Sequence, residues 1–156
     1  MMVSHSGFEM ARLFLGVLFL ICSSVWAVTP LLVTPEEVKA SNDAPARLTA
    51  KALPAKEAPL IELVSPKLPG VVTSPTTIEL KFRSFASSNV RPESFKALYG
   101  SFEIDITKKL LSVAKVTELG VTVPEASLPK GKHKILLVVE DSVGRVGSRL
   151  IEFEVN

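Results

Sequence analysis

Few side chains in this sequence have the chemistry for catalysis or metal binding. His133 is the only histidine after residue 27, and Cys22 is the only cysteine. A structural zinc ion needs about four nitrogen or sulfur ligands, and a Ser-His-Asp site needs a base beside its nucleophile, so one histidine completes neither. Asp105 and Asp141 lack the closely spaced acidic neighbours of a calcium loop. We therefore expect no catalytic residue, no metal site, no cofactor and no enzymatic activity.

The same side chains fit structural roles. His133 has the alternation parity of Ile135 and Leu137, which places it at the inner edge of a sheet and favours a structural role. Asp141 stands three residues before Gly144, a spacing that favours a turn capped by the carboxylate.

Three lysines surround His133 and permit two interpretations. Lys130, Lys132 and Lys134 alternate with Gly131 and His133, and they could contact an anionic surface glycan. Alternatively, they protect a solvated strand edge from aggregation. The net charge is only +2 and the basic residues are scattered, so we expect no nucleic-acid partner.

The N-terminus has the pattern of a secretory signal peptide over residues 1–27. Arg12 precedes the uncharged apolar run 13–22, which is about half the ~20 residues that a membrane-spanning helix needs. Small residues follow, and we expect cleavage after Ala27. The expected location is therefore secreted or periplasmic.

Three alternatives at the N-terminus stay open. Translation could start at Met10, because residues 1–10 contain Glu9 and no basic residue. Acylation of Cys22 would make a lipoprotein, although Ile21 is bulkier than the small residue that precedes such a cysteine. An uncleaved segment 13–33 would anchor the protein in the membrane facing the periplasm, and we expect membrane contact only in that case.

Residues 28–58 are rich in Pro, Ala and Lys and contain no aromatic side chain. This composition cannot build a core, so it predicts a disordered linker between the signal peptide and a domain. Within it, Thr34 could cap a short helix that has Pro35 at its first position.

Residues 59–156 have the size and patterning of one small all-β domain. Ile78, Leu80 and Phe82 alternate with charged residues, which is typical of a half-buried antiparallel strand. Gly100 lies between two apolar segments, 95–99 and 101–106, which predicts a hairpin with Phe102 on its apolar face. Residues 108–117 fit either a helical turn or a loop with an edge strand. Further strands are predicted at 60–66, 120–123, 131–140 and 149–155, about seven in all.

Some apolar residues have the wrong parity for the core. Leu136 and Val138 point away from Ile135 and its inward-facing neighbours. We therefore expect them to face outward.

Three segments resemble the bacterial immunoglobulin-like domains of secreted and cell-surface proteins. They are 59–66, 104–107 and, above all, 128–133 with its following strand and 141–144. The resemblance implies one immunoglobulin-like antiparallel β-sandwich that serves as a spacer, an adhesion module or an accessory unit. The cysteine pair and core tryptophan of antibody domains are absent, as is a repeated array.

In an immunoglobulin-like strand order, the strands that hold Leu98, Leu136, Val138 and Leu150 are neighbours in one sheet. We predict that these four residues form a partner-binding patch on its outer face, unless the linker or residues 108–117 cover it. The resemblance also implies that His133 acts like the corner residue of immunoglobulin folds and bonds back to a loop.

Together these features predict a non-catalytic binding or adhesion module whose partner is an envelope or surface protein. A surface glycan is the other ligand considered. The alternative function is a structural accessory subunit of a cell-envelope complex, held by the uncleaved N-terminal anchor.

Overall fold

The computed structural model describes residues 31–44, 56–85 and 87–156. The predicted signal peptide and its cleavage site at Ala27 lie outside these residues, as does most of 45–58. Among the residues that are described, no helix is both long enough and apolar enough to cross a membrane.

Eight strands and two short helices follow one another along the described chain. In order they are α1 (Pro35–Asp43), β1 (Leu60–Ser65), β2 (Thr76–Arg83), β3 (Val90–Tyr99), β4 (Ile104–Asp105), α2 (Thr107–Leu111), β5 (Lys115–Thr117), β6 (Gly120–Ala126), β7 (Gly131–Asp141) and β8 (Val146–Val155).

The strands form two four-stranded antiparallel sheets, with the orders β1-β2-β6-β5 and β4-β3-β7-β8. Their inner faces pack together as an immunoglobulin-like β-sandwich, which confirms the predicted fold class. The strand count is eight because the ambiguous stretch contains both predicted alternatives, the helical turn α2 and then the short edge strand β5.

The inner faces explain why these residues form strands. Leu80 of β2 lies opposite Val121 of β6, and both are buried. Ala97 of β3 lies opposite Leu137 of β7 in the other sheet, and both are buried as well. Because side chains alternate along a strand, each sheet gives one apolar face to a shared core.

The hairpin at Gly100 differs in detail from its prediction. β3 is longer than expected, β4 has only two residues, and Gly100 turns the chain with a φ of 72° that other residues rarely adopt. Phe102 is 49% exposed, whereas Ile106 is buried. The prediction that Phe102 faces the core is therefore wrong, because it lies in the turn and outside the two-residue ladder.

The predicted linker also needs correction, because residues 31–44 pack on the sandwich. Leu32 and Val33 are only 2% and 0% exposed and belong to the hydrophobic core. Leu31 pairs with Ser127, just after β6. These apolar residues reach the core although the surrounding composition is typical of a spacer, so the folded unit begins before residue 59.

The helix predicted from Thr34 is confirmed as α1. The Thr34 hydroxyl accepts a hydrogen bond from Glu37 N–H at 3.2 Å, and the Glu37 carboxylate accepts one from Thr34 N–H at 2.8 Å. This capping box starts the helix. Its far end packs against Gly100, where an added Cβ would collide with the Ser41 side chain. The absence of a side chain at Gly100 therefore allows α1 to close one end of the sandwich.

Candidate outer-face binding site

A row of leucines crosses the outer face of the β4-β3-β7-β8 sheet. Leu136 of β7 pairs with Leu98 of β3 on one side and with Leu150 of β8 on the other. Directly opposite residues of antiparallel strands share a face, so the three side chains stand next to each other. The three residues that the immunoglobulin-like strand order predicted to be neighbours are therefore brought together by the fold.

Val138, the fourth predicted residue, lies one step along the same face. It pairs with Lys96 and Ser148 and is half-buried. Leu98 and Leu136 are half-buried too, whereas Leu150 is 37% exposed. We call Leu98, Leu136, Val138 and Leu150 the leucine face. It is an apolar strip whose most solvent-exposed residue is Leu150, on β8.

Charged pairs border this strip. Lys134 of β7 contacts Glu152 of β8 at 3.6 Å, and Lys132 lies opposite Glu154 in the next pair. Each lysine thus has a carboxylate neighbour. The strand pairing of β7 with β3 ends at Ile135, whereas its pairing with β8 continues to Gly131. Lys130 is exposed in the turn before β7. The interpretation that these lysines protect a strand edge therefore stays a prediction.

The outer face of the β1-β2-β6-β5 sheet has a different character. Lys81 lies between Glu62 and Gly120, and Glu79 lies opposite Thr122. Arg83 and Glu62 form an ion pair at 2.9 Å. Since one outer face is polar and the other has an apolar strip, the strip is a local feature of one sheet.

His133 is held inside the sandwich by two hydrogen bonds. Its Nε2 lies 2.8 Å from the Pro129 carbonyl oxygen, and its Nδ1 lies 3.0 Å from the Tyr99 hydroxyl. A carbonyl only accepts, so Nε2 carries the proton and Nδ1 accepts from Tyr99. The ring also stacks on Phe153 with 5.3 Å between centroids. The predicted bond from His133 back to a loop is confirmed.

This environment keeps the histidine neutral. His133 is 2% exposed, and burial lowers its pKa from the ordinary 6.5 in spite of the bond to Pro129, which acts the other way. Burial also raises the pKa of Tyr99 to about 12. Both groups therefore stay uncharged near neutral pH. They hydrogen-bond to each other, and His133 also bonds to the backbone of Pro129. The arrangement fixes the 129–133 turn.

A second polar cluster closes the β7–β8 hairpin around Asp141. One carboxylate oxygen accepts from the N–H groups of Val143 and Arg145, and the other accepts from Arg145 Nε at 2.7 Å. Burial alone would raise the pKa of Asp141, but these hydrogen bonds hold it below its usual value. The predicted capping of the turn to Gly144 is confirmed.

Arg145 has a role that sequence patterning missed. Its guanidinium donates to Ser88 Oγ at 2.8 Å and to Glu57 at 3.1 Å, in addition to Asp141. It thereby joins the hairpin to the β2–β3 connection and to the start of the domain. A sequence with one arginine four residues after an aspartate gives no sign of these long-range partners.

The space between the two sheets is lined by apolar side chains. A cavity of about 40 Å³ lies between the sheets and is lined by apolar side chains such as Leu32, Leu80 and Ile135. Such a volume holds about one water molecule. Over residues 31–44, 56–85 and 87–156, no three His, Cys, Asp or Glu side chains come together as metal ligands would.

Comparisons with known proteins assign no family to this chain. No protein-family model matches it, and no curated protein does. CopC from Methylosinus trichosporium OB3b is similar in structure, with a TM-score of 0.42, 21% identity and coverage of 62% of this chain and 93% of CopC. Murine CRIg matches with a TM-score of 0.34, 13% identity and coverage of 63% and 96%. Likenesses of this degree give the chain no function.

Proposed function

We propose that this protein is a non-catalytic binding module of the cell envelope and that a protein partner docks on the leucine face. The observation that carries the proposal is the unbroken row of Leu98, Leu136 and Leu150 across three neighbouring strands. Apolar side chains gathered on an outer sheet face, with polar residues around them, are typical of contact surfaces.

The charges around the face favour a protein over an anionic glycan. A polyanion would be attracted by Lys132 and Lys134, but Glu154 and Glu152 stand beside them. The local charge is therefore close to balanced. A flat apolar strip with alternating charges at its border suits a protein surface with the complementary arrangement.

The polar clusters support a non-catalytic role. His133 has both ring nitrogens bonded inside the sandwich, and the oxygens of Asp141 are bonded to the hairpin and to Arg145. A general base must reach a proton on its substrate. The polar atoms of His133 and Asp141 are already used in hydrogen bonds within the fold.

The proposed location is secreted or periplasmic, and it follows from the predicted signal peptide.

Site-specific photocrosslinking tests the proposal in cells. A photoreactive amino acid replaces Leu136 in the full chain, and Thr122, which is exposed on the polar outer face of the other sheet, is the matched control position. We expect a discrete adduct with a second protein from position 136 and none from 122. Equal labelling at both positions, or no heterologous adduct at 136, would contradict the proposal. An adduct containing only this chain does not count as a partner.

A further inference from the structure

The edge of β8 has a free stretch of backbone. β8 pairs only with β7 in its sheet. Two hydrogen bonds to Val72 show which backbone groups of β8 face away from β7. The Glu154 carbonyl accepts from Val72 N–H at 3.3 Å, and Asn156 N–H donates to Val72 O at 3.1 Å. Because backbone groups alternate in direction along a strand, those of Ser148, Leu150 and Glu152 also point away from β7.

These outward groups have no hydrogen-bond partner among the described residues. At one end the stretch is closed by Pro59, whose carbonyl oxygen lies against Gly147. At the other end it is closed by the contact with Val72. The open stretch therefore covers residues 148–152, and Leu150 stands at its midpoint.

β8 carries only part of the usual protection of an edge strand. It contains charged side chains, and Arg149 donates to the Ile61 carbonyl oxygen of β1 at 2.9 Å, but it contains no proline and no lysine. Its register with β7 has no bulge over all ten pairs. The backbone of this edge is therefore regular, and a regular edge accepts another strand.

We propose that a second copy of this chain pairs with β8 in antiparallel fashion, around a two-fold axis at Leu150. Leu150 then lies opposite Leu150 of the second copy, and Ser148 lies opposite Glu152. The three pairs exchange about six backbone hydrogen bonds. A two-fold axis needs a self-complementary surface, and an open stretch centred on one apolar residue provides it.

Charge selects this register. With Leu150 at the axis, no two like charges are opposite each other, since Glu152 meets serine and Glu154 meets Val146. A shift that placed Glu152 on the axis would set two carboxylates side by side, which is unfavourable. The selected register also joins the leucine rows of the two copies into one line across six strands. The pairing does not depend on the docking of another protein.

Disulfide trapping tests the pairing directly. Leu150→Cys is made in the full chain with Cys22→Ser, so that the new thiol is the only one. Residues in a hydrogen-bonded antiparallel pair have Cα atoms about 5.5 Å apart, within the range of a disulfide. We expect mild oxidation to give a covalent dimer. Leu98→Cys, in the same leucine row but away from the edge, should crosslink at least about tenfold more slowly.

Sedimentation equilibrium gives the second measurement. We expect the unsubstituted chain to form a reversible dimer and Leu150→Lys to raise its dissociation constant by at least about tenfold, because two ammonium groups would face each other. Leu98→Lys should leave the dimer unchanged. A chain that stays monomeric at every concentration, or equal effects of the two lysine variants, would overturn the proposal. Neither of these results would change whether the photoreactive residue at position 136 captures a second protein, so the dimer and the proposed function can fail separately.

Discussion

Buried His133 should make the stability of this protein depend on pH in a defined direction. In the folded state the ring is neutral, because burial lowers its pKa below 6.5. In the unfolded state the ring titrates near that ordinary value. As the pH falls below about 6.5, the unfolded chain therefore binds a proton that the folded chain excludes, and the free energy of unfolding decreases.

The size of the effect follows from one proton. A difference of one bound proton changes the free energy of unfolding by at most about 1.4 kcal/mol per pH unit. The contribution of His133 is fully present above 6.5 and is lost as the pH falls through the folded-state pKa. Protonation would put a hydrogen on Nδ1, where His133 now accepts from Tyr99, so the Tyr99 hydroxyl would have to turn from donor to acceptor.

Urea denaturation from about pH 8 to about pH 5 measures this dependence, with His133→Gln as the matched variant. Gln does not titrate, and its amide can still donate to Pro129. We expect the stability difference between the two proteins to be constant at high pH and to shrink as the pH falls below 6.5. His5 is present in both chains and cancels. Parallel curves for the two proteins would show that His133 is not buried as a neutral ring.

Three further substitutions test the fold. Leu32→Ala should destabilise the protein by about 2–5 kcal/mol, as large-to-small core changes do, whereas Leu31→Ala, at a side chain that is 43% exposed, should change little; equal effects in thermal unfolding would restore the boundary at residue 59. Gly147→Ala should cost roughly 1–3 kcal/mol or more, because its Cβ would collide with the Pro59 carbonyl, and an unchanged denaturation midpoint would contradict the contact. Asp141→Asn should weaken the loss of unfolding free energy at acid pH. Because the pKa of Asp141 is lowered, its carboxylate stabilises the folded protein above about pH 3.8, and this contribution is lost as the pH falls below that value. An acid pH dependence identical to that of the original protein would count against the buried pair with Arg145.

Much of the sandwich could be predicted from local patterns, because alternation alone decides which side of a strand is buried. Leu80 and Leu137 were placed inward and Leu136 and Leu150 outward by parity, and the register confirms each of these placements. The loop contact of His133 follows instead from the resemblance to immunoglobulin-like domains. These features depend on neighbours within a strand or on one turn, which are visible in the sequence.

The missed features depend on distant partners. The start of α1 is evident from Thr34 and Pro35, yet its packing requires Gly100, from a distant part of the chain, to leave room for Ser41. Leu32 and Val33 lie in a proline-rich context, and only the tertiary structure shows that the core accepts them. The free edge of β8 likewise depends on where Pro59 and Val72 cross it.

The most direct test of the proposed function is binding to the partner identified by photocrosslinking, measured by titration calorimetry with Leu136→Glu and Thr122→Glu. A carboxylate in the middle of the leucine face would have to be desolvated on docking. We predict at least about a tenfold loss of affinity for Leu136→Glu, with its cooperative unfolding retained, and no loss for Thr122→Glu. Unchanged affinity in the Leu136→Glu variant would contradict the claim that the partner docks on this face.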